Sequence, residues 1–354
     1  MSDSERVDHD KVIAGDFGAA GAVASHLSGS GLPPEVSVSL GLLTEACGDN
    51  LVAVILFGSR LLGTSPDAHS AADLFVVVDE YEQFYRDVGR RLPARRRASI
   101  MAALNRALPP NIISVRDPGD LRAGTKCFVT SHDDLVTALS GEARDHFCRG
   151  RMMQQFQIIH SRSVEDGARL EERLLDARCL TLDWVPLYLP RTFSVLDYCR
   201  RMLEVSYAGE IRPESRSRVA EVFEAQRHYL ILSYTRVLED AVSRGRLERA
   251  GGLYRLPAPP TARTRLRWRL FFIRSKTRAT LRWSKYMLTF DDWLDYIVRK
   301  VERRTGLRLE LTPNERRFPI LLLWPRVWHV FRAMRSIPRS RGGADDSRSK
   351  GGPV

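Results

Sequence analysis

The segment that most restricts the fold is LVAVILF, Leu51 to Phe57, seven consecutive aliphatic or aromatic residues stopped by Gly58-Ser59. A half-buried strand alternates apolar and polar side chains, and an amphipathic helix repeats its apolar positions every three or four residues. A short unbroken run closed by glycine does neither, and fits a strand covered on both faces. After a loop with Gly63, Pro66 and Asp67 comes a second run, Asp73 followed by LFVVV to Val78. NIISV (Asn111 to Val115) and KCFVTS (Lys126 to Ser131) add a third and a fourth, with a helix over roughly residues 95–107. The expected class is mixed α/β (α+β), a small mixed sheet followed by a helical region. From Leu135 to Leu247 the apolar residues recur at helical spacing, for example Phe193, Leu196, Leu203, Phe223, Leu230 and Tyr234. Pro257, Pro259 and Pro260 mark a linker. The expected divisions are a lead-in and helix over 1–47, a sheet domain over 48–150, a helical domain over 151–256, a basic region over 261–336, and a disordered tail over 337–354.

Charge is distributed unevenly along the chain. Residues 261–354 hold 23 Lys and Arg against 8 Asp and Glu, whereas the first 260 hold 32 against 35. The basic character therefore belongs to the C-terminal quarter, and a polyanion, either an anionic membrane or nucleic acid, is the expected partner. The longest apolar stretch, Phe318 to Pro325, is far shorter than the roughly 20 residues that cross a bilayer. The opening MSDSERVDHDKV is acidic where a signal peptide is basic and then apolar, so a cytoplasmic location is expected. Five cysteines without a CxxC pair point to neither a zinc site nor a disulfide framework. No P-loop ending in Gly-Lys-Ser/Thr occurs, and none of the eight His has a triad-like neighbourhood.

An apolar strand, Gly-Ser, a loop and a strand bearing Asp form the arrangement by which nucleotidyltransferases hold a nucleoside triphosphate. The glycine admits close approach of the phosphates, a hydroxyl and backbone N–H groups bind them, and strand carboxylates hold Mg²⁺. Gly58, Ser59 and Asp73 occupy those positions, which predicts a nucleotidyltransferase-fold sheet. The usual pattern has two Asp at i and i+2, on one strand face. Here the residues two away from Asp73 are Ala71 and Phe75. Asp79 lies about 20 Å further along the strand and reads, with Glu80, as the cap of the next helix. A second metal ligand, where one is needed, would have to come from Asp117 or Asp133, each of which reads first as a loop carboxylate.

These residues resemble a family. Phe57-Gly58-Ser59, the single Asp in Ala72-Asp73-Leu74-Phe75, and Val78-Asp79-Glu80 are similar to the mitochondrial Tam-type phosphatidate cytidylyltransferases and their bacterial relatives. So are KCFVTS, Gly150-Arg151-Met152, and the stretch from Leu189-Pro190-Arg191-Thr192-Phe193-Ser194 to Ser206-Tyr207-Ala208-Gly209-Glu210-Ile211-Arg212. The resemblance covers about Leu51 to Arg212. It departs at Gln154 or Gln155, where the family pattern has a Lys, and nothing beyond residue 260 matches. It implies cytidylyl transfer from CTP to phosphatidate with a divalent metal such as Mg²⁺. Asp73 would hold the metal, Gly58 and Ser59 the β- and γ-phosphates, and Lys126 and Arg151 would neutralise phosphate charge. Tyr207, Gly209 and Arg212 would form a substrate-side loop, or Gly209 would simply stop a helix. The other readings are transfer to RNA, a protein or a small hydroxyl acceptor, and an inactive nucleotide- or lipid-binding relative.

The basic quarter contains RLRWRLFFIRSKTRATLRWSKYML, residues 265–288, where Trp268, Phe271, Phe272 and Trp283 alternate with Arg. Further on, Val327, Val330, Phe331, Met334 and Ile337 recur at helical spacing beside Arg332, Arg335 and Arg339. Such amphipathic helices suit an anionic bilayer interface, so residues 261–336 are expected to dock on a membrane, with nucleic acid the lesser expectation. The alternative is that the apolar faces pack into the domain, which is the expectation for Trp293, Leu294 and Ile297.

Overall fold

In the computed structural model β1 (Leu51–Phe57) is buried along its whole length, as its unbroken apolar run requires. The structure describes residues 31–64, 71–91, 96–117, 120–209 and 216–289, together with positions 298, 311, 312, 314 and 315. β1 pairs antiparallel with β2 (Ala72–Val78). β2 pairs parallel with β4 (Asp120–Ser131), which pairs antiparallel with β3 (Asn111–Asp117). β5 (Phe156–Ser161) closes the other edge against β1, giving the order β3-β4-β2-β1-β5. The chain is thus mixed α/β, a five-stranded mixed sheet followed by a helical region.

The strand pleat divides the central residues between two cores. Leu74, Val76 and Val78 of β2 join Val54, Leu56 and Val129 beneath α1 (Pro34–Cys47), α3 (Tyr81–Arg91) and α4 (Ala98–Ala107) after the single-turn α2 (Ser59–Leu62). Phe75 and Val77 join Ile55, Phe57, Phe128 and Phe156 on the opposite face. That face is covered by α5 (His132–Leu139), α6 (Phe147–Met152) and α7 (Val164–Cys179). A bulge between Leu51 and Ala53 lets Val52 and Ala53 share this second core.

A third core builds the helical region. Trp184, Tyr198 and Tyr234 are fully buried among α8 (Val195–Ala208), α9 (Arg216–Ala225) and α10 (Arg227–Ser243). A small sheet closes it, with β6 (Thr192–Phe193) and β7 (Glu248–Ala250) flanking β8 (Leu253–Arg255). Phe193, expected in a helix, therefore lies in a strand opposite Tyr254. The expected boundary at residue 150 also shifts, because the edge strand Phe156–Ser161 belongs to the first sheet. Compactness divides the chain into Met1–Asp291 and Asp292–Val354, so the sheet and helical regions share one unit.

α11 (Ala262–Thr289) accounts for that union and corrects the reading of its aromatic residues. At about 1.5 Å per residue it is roughly 42 Å long. Its first half buries Trp268 in the helical core, with Phe271 and Phe272 packed against it. Its second half reaches the sheet region through polar anchors. Arg278 Nε and Arg282 Nη2 donate to Asp145 Oδ2 at 2.7 and 2.9 Å, and Arg282 also donates to the Pro109 carbonyl. Lys285 Nζ donates to the carbonyls of Leu104, Leu108 and Pro110, at and just beyond the C-terminal end of α4. Burial, with the charges of Arg282 and Arg278, brings the Lys285 ammonium down to about 7. Burial alone would raise the Asp145 carboxyl, but the charge of Arg282 and hydrogen bonds from both guanidinium groups and the Phe147 N–H hold it below its ordinary value. Beside it, buried His146 contacts Ser206 Oγ through Nε2 at 3.0 Å, while its backbone N–H donates to Ser275 Oγ. The helix expected over Arg326 to Ile337, with Arg332, Arg335 and Arg339, lies outside the described residues, as do Arg212, Trp293, Leu294, Ile297 and the tail.

Two predictions follow from this joint. Asp145→Asn strands two guanidinium groups in a largely buried site and is expected to lower stability by about 3 kcal/mol, read from the urea midpoint. His146 is held neutral in the fold, its pKa pushed down to about 3 by burial and the charge of Arg149. An unfolded chain takes up that proton near pH 6.5, so this contribution to stability is complete above 6.5 and is lost as pH falls towards 3. His146→Gln is expected to flatten the fall in melting temperature between pH 6.5 and 4 relative to wild type.

Candidate active site

Strand register assembles the site. Phe57 of β1, Asp73 of β2 and Lys126 of β4 are direct register partners, so their side chains share one sheet face. That is the face of Phe75 and Phe128, two residues further along their strands. Lys126 Nζ stands 4.0 Å from Asp73 Oδ1, and both side chains are about a quarter exposed (22% and 25%), Asp73 near the start of a strand otherwise sealed from solvent and Lys126 in the middle of β4, not at the strand start that its sequence suggested. Below them Phe57, Phe75 and Phe128 form a triangle with ring centroids 5.0 to 5.4 Å apart. An apolar floor of this kind limits solvent screening on one side of the two charges.

Gly58 follows Phe57 with φ 81° and ψ −161°, a region essentially reserved for glycine. A Cβ there would stand 3.0 Å from Asp73 Oδ2. Both facts place bare backbone against the carboxylate, as a phosphate-approach position needs. Ser59 then opens α2, which Gly63 ends in the left-handed conformation. Two contacts from outside hold this turn: Arg60 pairs with Glu35 of α1, and Arg218 of α9 donates to the Thr64 carbonyl at 2.9 Å.

Arg151, on α6, borders the same face. Its guanidinium lies 3.8 Å from the Phe147 ring centroid and 5.8 Å from that of Phe128, and donates to the Phe147 carbonyl at 2.9 Å. Arg282 of α11 also stands over the Phe147 ring, at 4.3 Å. Gly150 is pressed onto the imidazole of His146, the residue that caps α6, 2.8 Å from where its Cβ would be.

Tyr207 enters through a polar relay. Its hydroxyl donates to Gln154 Oε1 at 3.2 Å, Gln226 Nε2 donates to the same oxygen at 3.0 Å, and Gln226 Oε1 accepts from the Gln155 N–H. Gln155 directly precedes Phe156, the register partner of Phe57, so the relay stands beside Gly58. Where the family pattern puts a Lys, this chain has a neutral crosslink between the sheet edge and the helical region. Gly209 caps α8 with an ordinary φ of −73°, which fits the helix-end reading. Gln226 and Arg218 were not among the expected site residues. Each acts on a partner at least 71 residues away in the chain, and no local pattern marks them.

The structure separates the other carboxylates from Asp73. Asp133 lies beyond the far end of β4, past the Val78–Ser131 pair, and its side chain is fully exposed beside His132. It is removed as a second ligand. Asp117 ends β3 two strands from β2, at roughly 10 Å across and 10 Å along the sheet from the Asp73 row. Asp79 pairs with Arg162, and the residue bonding the start of α3 is Asn50, whose side chain exchanges two hydrogen bonds with the Glu80 backbone. Among the described residues no group of three or more His, Cys, Asp or Glu is placed to hold a metal ion. A single carboxylate beside a phosphate-sized approach fits Mg²⁺ that arrives on a nucleotide and keeps its waters, and does not fit a dedicated protein cage. Asp73 is the residue that would hold it.

No family model matches this chain, and no curated protein matches it either. Among the described residues no helix is long and apolar enough to cross a membrane. Gly58→Ala is expected to lower stability by about 1–3 kcal/mol through backbone strain and contact with Asp73, measurable as a fall in the urea midpoint.

Proposed function

We propose that the chain is a nucleotidyltransferase that transfers the cytidylyl group of CTP to phosphatidate, releasing pyrophosphate and forming CDP-diacylglycerol. The observation that supports this most directly is the row at the sheet end, with the Asp73 carboxylate between Gly58 backbone and the Lys126 ammonium. In this reading Gly58 and Ser59 receive the β- and γ-phosphates, and Lys126 and Arg151 offset charge on the transferred and acceptor phosphates. Held by Asp73 with the triphosphate, a divalent metal would supply further neutralisation of phosphate charge. The family resemblance in the sequence adds the donor base and the lipid.

The acceptor chemistry agrees with a sparse carboxylate set. A hydroxyl acceptor needs a base to remove its proton as it attacks. A phosphate monoester, with a second pKa near 6, is already mostly a dianion at neutral pH. One of its oxygens attacks the α-phosphorus, the bond from that phosphorus to the bridging oxygen breaks, and pyrophosphate departs with the electron pair. No proton needs to move, and the one strand carboxylate is left to serve the metal. In this reading the enzyme works in the cytoplasm, at the inner face of the cell membrane that holds its acceptor.

The test is incubation with labelled CTP, Mg²⁺ and phosphatidate in mixed micelles, followed by chromatography of the lipid phase. Label is expected in the lipid with phosphatidate and not with diacylglycerol, whose acceptor is a hydroxyl. Asp73→Asn should reduce transfer by about a hundred-fold or more with the melting temperature nearly unchanged, and Asp79→Asn should leave transfer intact. Full activity in Asp73→Asn, or equal turnover of ATP onto an RNA 3′ end, would overturn the assignment.

A further inference from the structure

α11 contains seven Arg, two Lys and no Asp or Glu, and the fold sorts these cations into two sets. Arg278, Arg282 and Lys285 are consumed inside, on Asp145 and on backbone carbonyls. Arg263, Arg265, Arg267, Arg269, Arg274 and Lys276 are exposed. Among the described residues no carboxylate pairs with Arg263, Arg265, Arg267, Arg269, Arg274 or Lys276; Arg274 donates to the Ala143 carbonyl and lies over the Phe271 ring.

Between these cations runs an apolar stripe. Leu266, Leu270, Ile273 and Leu281 are each 55–57% exposed, whereas Trp268 on the inner face is 7% exposed. Their spacings of four, three and eight residues keep them on one side of a helix, with Thr277 filling the gap. On the same geometry Arg263, Arg267 and Arg274 flank one edge, and Arg265, Arg269 and Lys276 the other. From Leu266 to Leu281 the stripe is about 22 Å long. Trp283, 38% exposed, lies near the second edge.

We propose that this outer face of α11 docks on the surface of an anionic lipid bilayer, its aliphatic residues entering the headgroup boundary and its Arg and Lys engaging lipid phosphates. A helix lying in the interface requires this pattern, with cations at the rims and apolar side chains between. The other occupants match the charge less well. A second copy of α11 would bring cations against cations. Residues 292–354 of the same chain hold 14 Lys and Arg against 7 Asp and Glu, so they carry the same sign. Nucleic acid would neutralise the rims and could stack a base on Trp283 at the edge, but would cover four aliphatic side chains that offer no stacking. The face rests on exposure and charge, and only its link to a lipid acceptor rests on the proposed function.

The experiment is flotation of the full chain with vesicles of phosphatidylcholine alone or mixed equally with phosphatidylglycerol. Wild type is expected to float with the anionic vesicles and poorly with the neutral ones. Arg267→Glu with Lys276→Glu should weaken that binding by about ten-fold or more, given the attraction each surface cation contributes. Leu270→Ser with Ile273→Ser should remove the part of the binding that survives high salt. Both pairs are exposed, so their melting curves should match wild type. Turnover of a short-chain, water-soluble phosphatidate should persist in both; its absence even in wild type would count against the cytidylyl reading and leave the docking result standing. Flotation of both variants like wild type would overturn the proposal, as would loss of binding only on reversing Arg332, Arg335 and Arg339. It would also fall if wild type ignored vesicles and bound RNA, or if Leu270→Ser with Ile273→Ser dissociated a dimer.

Discussion

A charged side chain can stand on a strand buried from both sides only where that strand emerges from its cover. β2 makes this constraint explicit: six of its seven residues are sealed, and Asp73 is the exception. Its parity puts it on the aromatic face, and the register of β1 and β4 supplies its neighbours. Gly58 must be bare because Asp73 is there, and Lys126 lies next to it because β4 runs parallel in that register. The chemistry proposed for the site follows from this one position in the pleat.

Much of the sheet was legible for the same reason. LVAVILF and LFVVV lack the alternation of a one-sided strand, and two-sided burial is what they receive. Gly58, Ser59 and Asp73 could be picked out because each sits at a strand end next to such a run, and Lys126 because it opens the apolar part of β4, although that strand begins six residues earlier. FQIIHS was not legible as a strand, since three apolar residues among six, placed between helices, carry too little periodicity to separate from a helix. The hairpin Glu248–Arg255 is short and held by tertiary pairing with Thr192–Phe193, so its own sequence says little. Asp133 could be set aside as a second ligand only in the structure, because sequence distance from a strand does not tell which end of the sheet the next residues occupy.

α11 shows a different limit. Composition alone marked it as basic and aromatic, which suits an interface helix and a packed one equally. Burial separates the two. Trp268, Phe271 and Phe272 face the helical core, Arg278 and Arg282 close on Asp145, and the aliphatic residues between the remaining cations are left outside. Residues of the same kind thus serve opposite purposes on opposite sides of one helix, a distinction that a linear sequence expresses only once the inner face is known.

The parallel pairing of β2 with β4 also has a consequence for how the molecule is made. Asp73 and Lys126 are neighbours in space, but two helices and the β3 strand lie between them in the chain, so their meeting closes a loop of about fifty residues. The antiparallel pair β3 and β4 has its strands joined directly and can form early, whereas the row at the sheet end must wait for the crossover to be packed. Asp73 and Lys126 therefore come together only after most of the sheet region has organised. A nascent chain or partly folded intermediate, even with its local hairpins and helices in place, would hold the parts of a nucleotide site without the site itself.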